Sequence, residues 1–201
     1  MLVTQPQAIS YRQLYALGCQ CRARIKCLYL HWSAGHYGQA YDDYHLNIDR
    51  DGTIYQTCSS LTEVKQHTYL RNSGSIGISL CCGYQASCHE DGKVNLGPEP
   101  PTHEQIEALA RVIAILTYAL GLPLSYATVK THAEIACMDG YGPGCGDPDM
   151  RWDLWYLPDV NEGYHLRLGG VLLRERGLRY RDHFFTPRPS CQEGRPMKTM
   201  C

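Results

Sequence analysis

The 201-residue chain has no apolar run of the roughly 18 to 20 residues that a membrane-spanning helix needs, and its most apolar stretch, Ile106 to Leu122, is interrupted by Glu107 and Arg111. The chain is therefore expected to be soluble. Nor does it carry an excess of either charge. The 19 Lys and Arg stand against 20 Asp and Glu, a formal net charge of −1, so no global field draws it to nucleic acid. The opening MLVTQPQAISYRQL lacks a basic region followed by an apolar run and a small-residue cleavage site, which predicts synthesis in the cytoplasm without a secretory signal. Internal repeats are missing too. Cysteine is plentiful, at eleven, but a disulfide framework is not. The number is odd, Cys19 and Cys21 are one residue apart, and Cys81 and Cys82 are adjacent, which suits neither a paired zinc knuckle nor an ordinary bridge. Mostly buried, reduced thiols are the expectation.

This length supports one substantial core. Ile25 to Trp32 has the apolar and aromatic density of a buried strand and brings His31 to a sheet rim before Ser33, Ala34 and Gly35. Tyr44 to Thr57 holds two alternating runs around Asp51-Gly52, a hairpin signal because glycine reaches positive φ cheaply. Ser75 to Cys82 is a further strand. Thr102 and Gln105 form a capping-box pattern ahead of Ile106, Leu109, Ile113, Leu116 and Leu120 at helical spacing, with Gly121 and Pro123 as the stop. His132 follows another short strand or turn, and a glycine-rich loop succeeds it. Strands interleaved with helices, with one hairpin among them, predict an α/β fold: a mixed central β-sheet flanked by helices. Residues 1–160 are expected to form that domain. Residues 161–201, with seven arginines and one lysine against four acids, are expected to be a basic C-terminal extension, solvated or partly ordered, of unknown role.

His31, His132 and Asp147 offer two imidazoles and one carboxylate, the ligand count of a catalytic zinc site that leaves one position for water. Such a metal would bring that water's pKa from about 15.7 toward about 7 and polarise a carbonyl. By themselves these residues are one triple among many, because nine histidines and numerous carboxylates generate others.

The surroundings narrow the choice. LYLHWSAG, YHLNIDRDGTIYQ, QHTYLRNSGSIGISL, THAEIA and GDPDMRWD resemble, in this order, segments of the zinc-dependent N-acetylmuramoyl-L-alanine amidases, which include bacteriophage lysozyme-type amidases and animal peptidoglycan recognition proteins. The resemblance covers about residues 25 to 158. It implies a mixed sheet with flanking helices, a zinc ion in an open groove held by His31, His132 and Asp147, and peptidoglycan or a muropeptide as substrate. It places at Tyr44 a hydroxyl able to stabilise the oxyanion, at His67 a histidine near the groove, and at Cys145 the position where many active members carry an oxyanion-stabilising lysine. Lys130 or Arg151 could replace that charge. Cys145 is also an alternative zinc ligand to Asp147. Ser79 stands where another branch has a glutamate. His45 is expected to be structural and His36 to lie on the groove side or surface. Trp152 and Trp155 are expected to pack a terminal helix against the sheet, and Asp149 and Asp153 to cap or turn their segment. The implied activity is hydrolysis of the amide between the lactyl group of N-acetylmuramic acid and L-alanine, by an endolysin reaching the wall through holin-dependent release. Alternatives are an injected antibacterial amidase paired with an immunity protein, and a module that binds peptidoglycan without cutting it.

Overall fold

The computed structural model of the protein describes residues 1–89, 93–142, 151–161 and 165–185. In chain order these contain β1 (Leu2–Val3), β2 (Gln7–Ile9), α1 (Tyr11–Gln20), β3 (Cys27–Trp32), β4 (Ala40–Tyr41), β5 (Leu46–Ile48), β6 (Ile54–Gln56), β7 (Ser75–Leu80), β8 (Ser87–Cys88), β9 (Val94–Asn95), α2 (His103–Leu120), β10 (Val129–Thr131), α3 (His132–Asp139), β11 (Tyr156–Asp159), β12 (His165–Leu168) and α4 (Gly169–Phe185). Six strands form the central sheet in the order β10-β3-β7-β5-β6-β2. The β10-β3-β7-β5 portion is parallel, whereas β6 runs antiparallel to both β5 and β2. The mixed sheet read from the sequence is present, and the Asp51-Gly52 turn joins β5 to β6 with Gly52 at φ 84°.

Alternation sorts the strand residues onto two faces. Leu28 and Leu30 of β3, Ile76, Ile78 and Leu80 of β7, and Leu46 and Ile48 of β5 join Ile106, Leu109, Ile113 and Leu116 of α2 in one apolar core. Tyr29 and His31, and Ser75, Gly77 and Ser79, occupy the intervening positions. The Thr102 hydroxyl accepts from Gln105 N while the Gln105 side chain accepts from Thr102 N, and Gly121, at φ 71°, ends α2 in the left-handed region. Gln105 also donates to the carbonyls of Ile48 and Cys81 at 3.0 and 3.1 Å, tying the start of α2 to the sheet. Helix α1 approaches α2 closely because Gly18 has no side chain; a Cβ there would lie 2.8 Å from the Ala119 methyl.

The stretch expected as an extension is packed on the domain along its described part. The boundary expected at residue 160 falls inside a hairpin, since β11 pairs with β12 from Tyr156↔Leu168 to Asp159↔His165. Helix α4 buries Leu172 and Leu173 in the core and places Arg176 between Glu107 of α2 and Asp159 of β11, with a 2.8 Å bond to Asp159. Its arginines are thus partly consumed in holding the fold together rather than presented to solvent. Cys21, Cys81 and Cys82 are buried free thiols, and burial pushes Cys81 up to about 12. Among the described residues no helix is long and apolar enough to cross a membrane.

Candidate metal centre

Parallel pairing sets two histidines side by side. Thr131 of β10 is in register with Leu30 of β3, so the next residues in each strand direction, His132 and His31, meet at the same edge of the sheet. Thr131 also caps α3, its hydroxyl accepting from Glu134 N at 3.2 Å while the Glu134 carboxylate accepts from Thr131 N at 3.0 Å. Arg174 of α4 grips both Glu134 oxygens at 2.8 Å, and a Cβ on Gly170 would lie 2.3 Å from one of them. The C-terminal helix therefore braces the backbone that carries His132. Asp153 enters from a tight segment with Arg151 and Leu154 at φ 63° and 58°. Its neighbour Trp152 packs edge-on against Trp32, the residue after His31, with ring centroids 4.8 Å apart.

The result is a convergence of ligand atoms. His31 Nδ1 lies 3.1 Å from His132 Nδ1 and 3.1 Å from Asp153 Oδ2, and His132 Nδ1 lies 3.0 Å from Asp153 Oδ1. Ligands about 2.0–2.1 Å from a tetrahedral zinc are separated by roughly 3.3 Å, so this donor set fits the metal the sequence pattern implies. Burial lowers the His31 pKa and disfavours its charged form, with His132 adding to the effect against the opposing pull of Asp153. For Asp153, burial alone acts upward, but the two histidines outweigh it and hold the carboxyl well below the usual range. A His31 that disfavours its charged form and an ionised Asp153 carboxylate suit a zinc ion, whose ligands must be deprotonated.

The neighbouring side chains divide into those at the cluster and those behind it. Tyr44 stands beside His31 with ring centroids 5.2 Å apart, and its hydroxyl approaches the Trp32 carbonyl at 3.5 Å. Burial, followed by the Asp153 charge, raises its phenol well above the ordinary value, so it remains a donor. The structure places His67 behind His31 rather than at the groove surface, buried with both ring nitrogens turned to internal partners, Thr68 and Ser75. Burial first, then the surrounding histidines, pull its pKa down to about 2, so it stays neutral. His45 is structural as expected, accepting from Gly77 N at 3.0 Å on Nδ1 and donating from Nε2 to the Glu63 carbonyl at 2.7 Å. His36 is partly exposed and pairs with Glu99 at 2.7 Å.

A family model of N-acetylmuramoyl-L-alanine amidase matches residues 15–145. The chain belongs to that family. The match spans most of the sequence and contains His31, Tyr44, His67 and His132, with Cys145 as its final residue. Among solved structures, the endolysin of Thermus scotoductus MAT2119 bacteriophage Ph2119 is similar at 17% identity and a TM-score of 0.44, covering 77% of this chain and 86% of that one. The amidase LysCS from Clostridium intestinale URNW is similar at 18% identity and a TM-score of 0.40, covering 66% and 78%. PGRP-Hd from Alvinella pompejana shares 18% identity at a TM-score of 0.37, covering 63% and 79%. No curated protein gives a significant match.

Within this amidase-family chain, two of the three expected ligands meet. Asp147 and Cys145 lie outside the described residues, and the carboxylate that joins the imidazoles among those described is Asp153. From the sequence alone Asp153 is expected to cap or turn its segment. No spacing rule singles it out, because the Trp32–Trp152 contact that carries it to His31 is purely tertiary. Of the two cations that could replace the family lysine, Lys130 donates to the Ala127 carbonyl at 2.9 Å and lies over Tyr126. Arg151 lies over the rings of Tyr141 and Tyr69, 4.1 and 5.4 Å from their centroids.

Proposed function

We propose that this chain is a zinc-dependent N-acetylmuramoyl-L-alanine amidase that hydrolyses the amide between the lactyl group of N-acetylmuramic acid and the first L-alanine of peptidoglycan. The observation that carries the reading is the convergence of His31, His132 and Asp153 within a chain of this family. His31, His132 and Asp153 would hold a zinc ion, which when bound would supply Lewis acidity toward the scissile carbonyl and lower the pKa of water. Asp153 balances part of the metal's charge, and its contact with both imidazoles orients them. Tyr44, kept protonated, donates a hydrogen bond to the oxygen on which negative charge develops. The departing amine takes its proton from the attacking water. Acting on the cell wall as an endolysin, the protein reaches its substrate after release from the cell that makes it, with holin-dependent lysis as the proposed route.

The test is release of new L-alanine amino termini from purified peptidoglycan by native, chelator-treated, zinc-restored and His132→Ala protein. Zinc-dependent release that the substitution abolishes is the expected result. Stoichiometric zinc with no release from several wall types would instead select the module that binds peptidoglycan without cutting it.

A further inference from the structure

On the side of His31 away from the metal-facing nitrogen, buried side chains form an unbroken hydrogen-bonded line. His31 Nε2 lies 3.3 Å from Thr68 Oγ1, and Thr68 Oγ1 lies 3.0 Å from His67 Nδ1. His67 Nε2 lies 3.4 Å from Ser75 Oγ, whose hydroxyl reaches the carbonyls of Arg71 and Asn72 at 2.9 Å each. Four side chains are involved, and all are buried.

The far end of the line dictates its polarity. Carbonyl oxygens only accept, so the Ser75 proton points at them and Ser75 Oγ accepts from His67 Nε2–H. His67 Nδ1 then carries a lone pair and accepts the Thr68 proton. Thr68 Oγ1, its own proton spent, accepts from His31 Nε2–H. A neutral His31 with its proton on Nε2 presents a lone pair at Nδ1, able to accept from His132 Nδ1–H at 3.1 Å, and the relay thereby opposes the Asp153 carboxylate, which only accepts and at 3.1 Å from Nδ1 favours the other tautomer. Space for the line is cleared on the strand beneath it: a Cβ on Gly77 would lie 2.4 Å from His67 Cγ.

We propose that Ser75, His67 and Thr68 form a positioning relay that fixes the tautomer of His31 so that Nδ1 is ready to bind the metal before any metal arrives. His67 is thereby a positioning residue acting through Thr68, distinct from a substrate contact. His132 provides the contrast, since its Nε2 is buried and meets no hydrogen-bond partner among the described residues.

The use of the relay rests on the zinc reading, but its existence is measurable without zinc. Long-range proton–nitrogen NMR of the metal-free protein reads the His31 tautomer directly, and competition with a chromogenic chelator reads zinc affinity. In native protein the proton is expected on Nε2. Thr68→Val, which keeps shape and removes the hydroxyl, should lose that preference and weaken zinc binding by about 10- to 100-fold, the usual cost of losing an outer-shell partner. Thr68→Ser should restore both, which general damage to the fold would not allow. A native His31 protonated on Nδ1, or a folded Thr68→Val protein with unchanged tautomer and zinc affinity, overturns the relay. An inactive protein with the tautomer as stated would sink the amidase and leave the relay standing.

Discussion

On the face of the central sheet toward α2, the side chains of Leu28, Leu30, Ile76, Ile78 and Leu80 fill space and have no polar atom to satisfy. On the opposite face, His31, Ser75, Ser79 and the covering His67 and Thr68 are as deeply buried, yet nearly every polar atom has a designated partner. The same two strands serve both faces, one residue apart. The apolar face derives its stability from volume and tolerates exchange among similar shapes. The polar face depends on direction, because one missing hydroxyl reverses or frees the protons along a whole line. Damage to the first should therefore appear as lost stability, and damage to the second as lost metal binding in a protein that still folds.

The largest separation is expected from the carboxylate at the polar edge. Asp153→Asn should reduce zinc affinity by more than the roughly 10- to 100-fold that an outer-shell loss costs, and abolish amidase activity, while chemical denaturation of the metal-free protein still shows a cooperative transition. Asp147→Asn should leave zinc binding unchanged. Chelator competition on the two variants decides the matter, and the reverse pattern would return the third ligand to Asp147.

The apolar face should answer in the opposite way. Ile78 is fully buried and sits between Gly77 and Ser79 of the polar face, so Ile78→Ala is expected to cost about 2–5 kcal/mol in urea unfolding, from a total of roughly 5–15 kcal/mol. Zinc affinity of the folded fraction should be that of the native protein. If Ile78→Ala weakened zinc as much as Thr68→Val does, the two faces would not be separable, and the relay would be no more than part of a common core.

The contrast between the faces also explains what could be read before folding. Strand β3, the β5–β6 hairpin, β7 and α2 were legible because each carries a local signal: an apolar run, Asp51-Gly52, or a capping box followed by helical spacing. Helices α1 and α3 begin with capping boxes of the same form, Ser10 with Gln13 and Thr131 with Glu134, so their starts too carry a local signal. Helix α4 opens on Gly169-Gly170, a pair that reads as a breaker; it is required because a Cβ at either position would strike the Leu154 carbonyl or Glu134. At the candidate site, His31 and His132 came from the family segments and the strand ends. Asp153, His67, Thr68 and Ser75 lie within those segments too, but their joining to His31 is carried by neither signal, since it links residues up to 122 positions apart through packing alone.

The seam between α2 and the C-terminal elements belongs to neither face, and it supplies the smallest effect and the control. Burial acts to raise the Asp159 pKa, but hydrogen bonds from Arg167 and Asn161 N and the charge of Arg176 outweigh it, so the folded-state value lies below the unfolded one. A depressed carboxylate contributes stability that is complete above its unfolded pKa and is lost as pH falls through the folded value. The melting temperature should accordingly change little from this group between about pH 7 and pH 5, then decline below about pH 4 as the seam loses its charge. Asp159→Asn should lower stability at neutral pH, because it removes the charge between two arginines, and make the acid decline shallower. Zinc affinity at neutral pH should be untouched, because Asp159 serves α4 and not the His31 cluster. Parallel acid profiles for the two proteins would show that the seam contributes no pH dependence and that the acid sensitivity lies elsewhere.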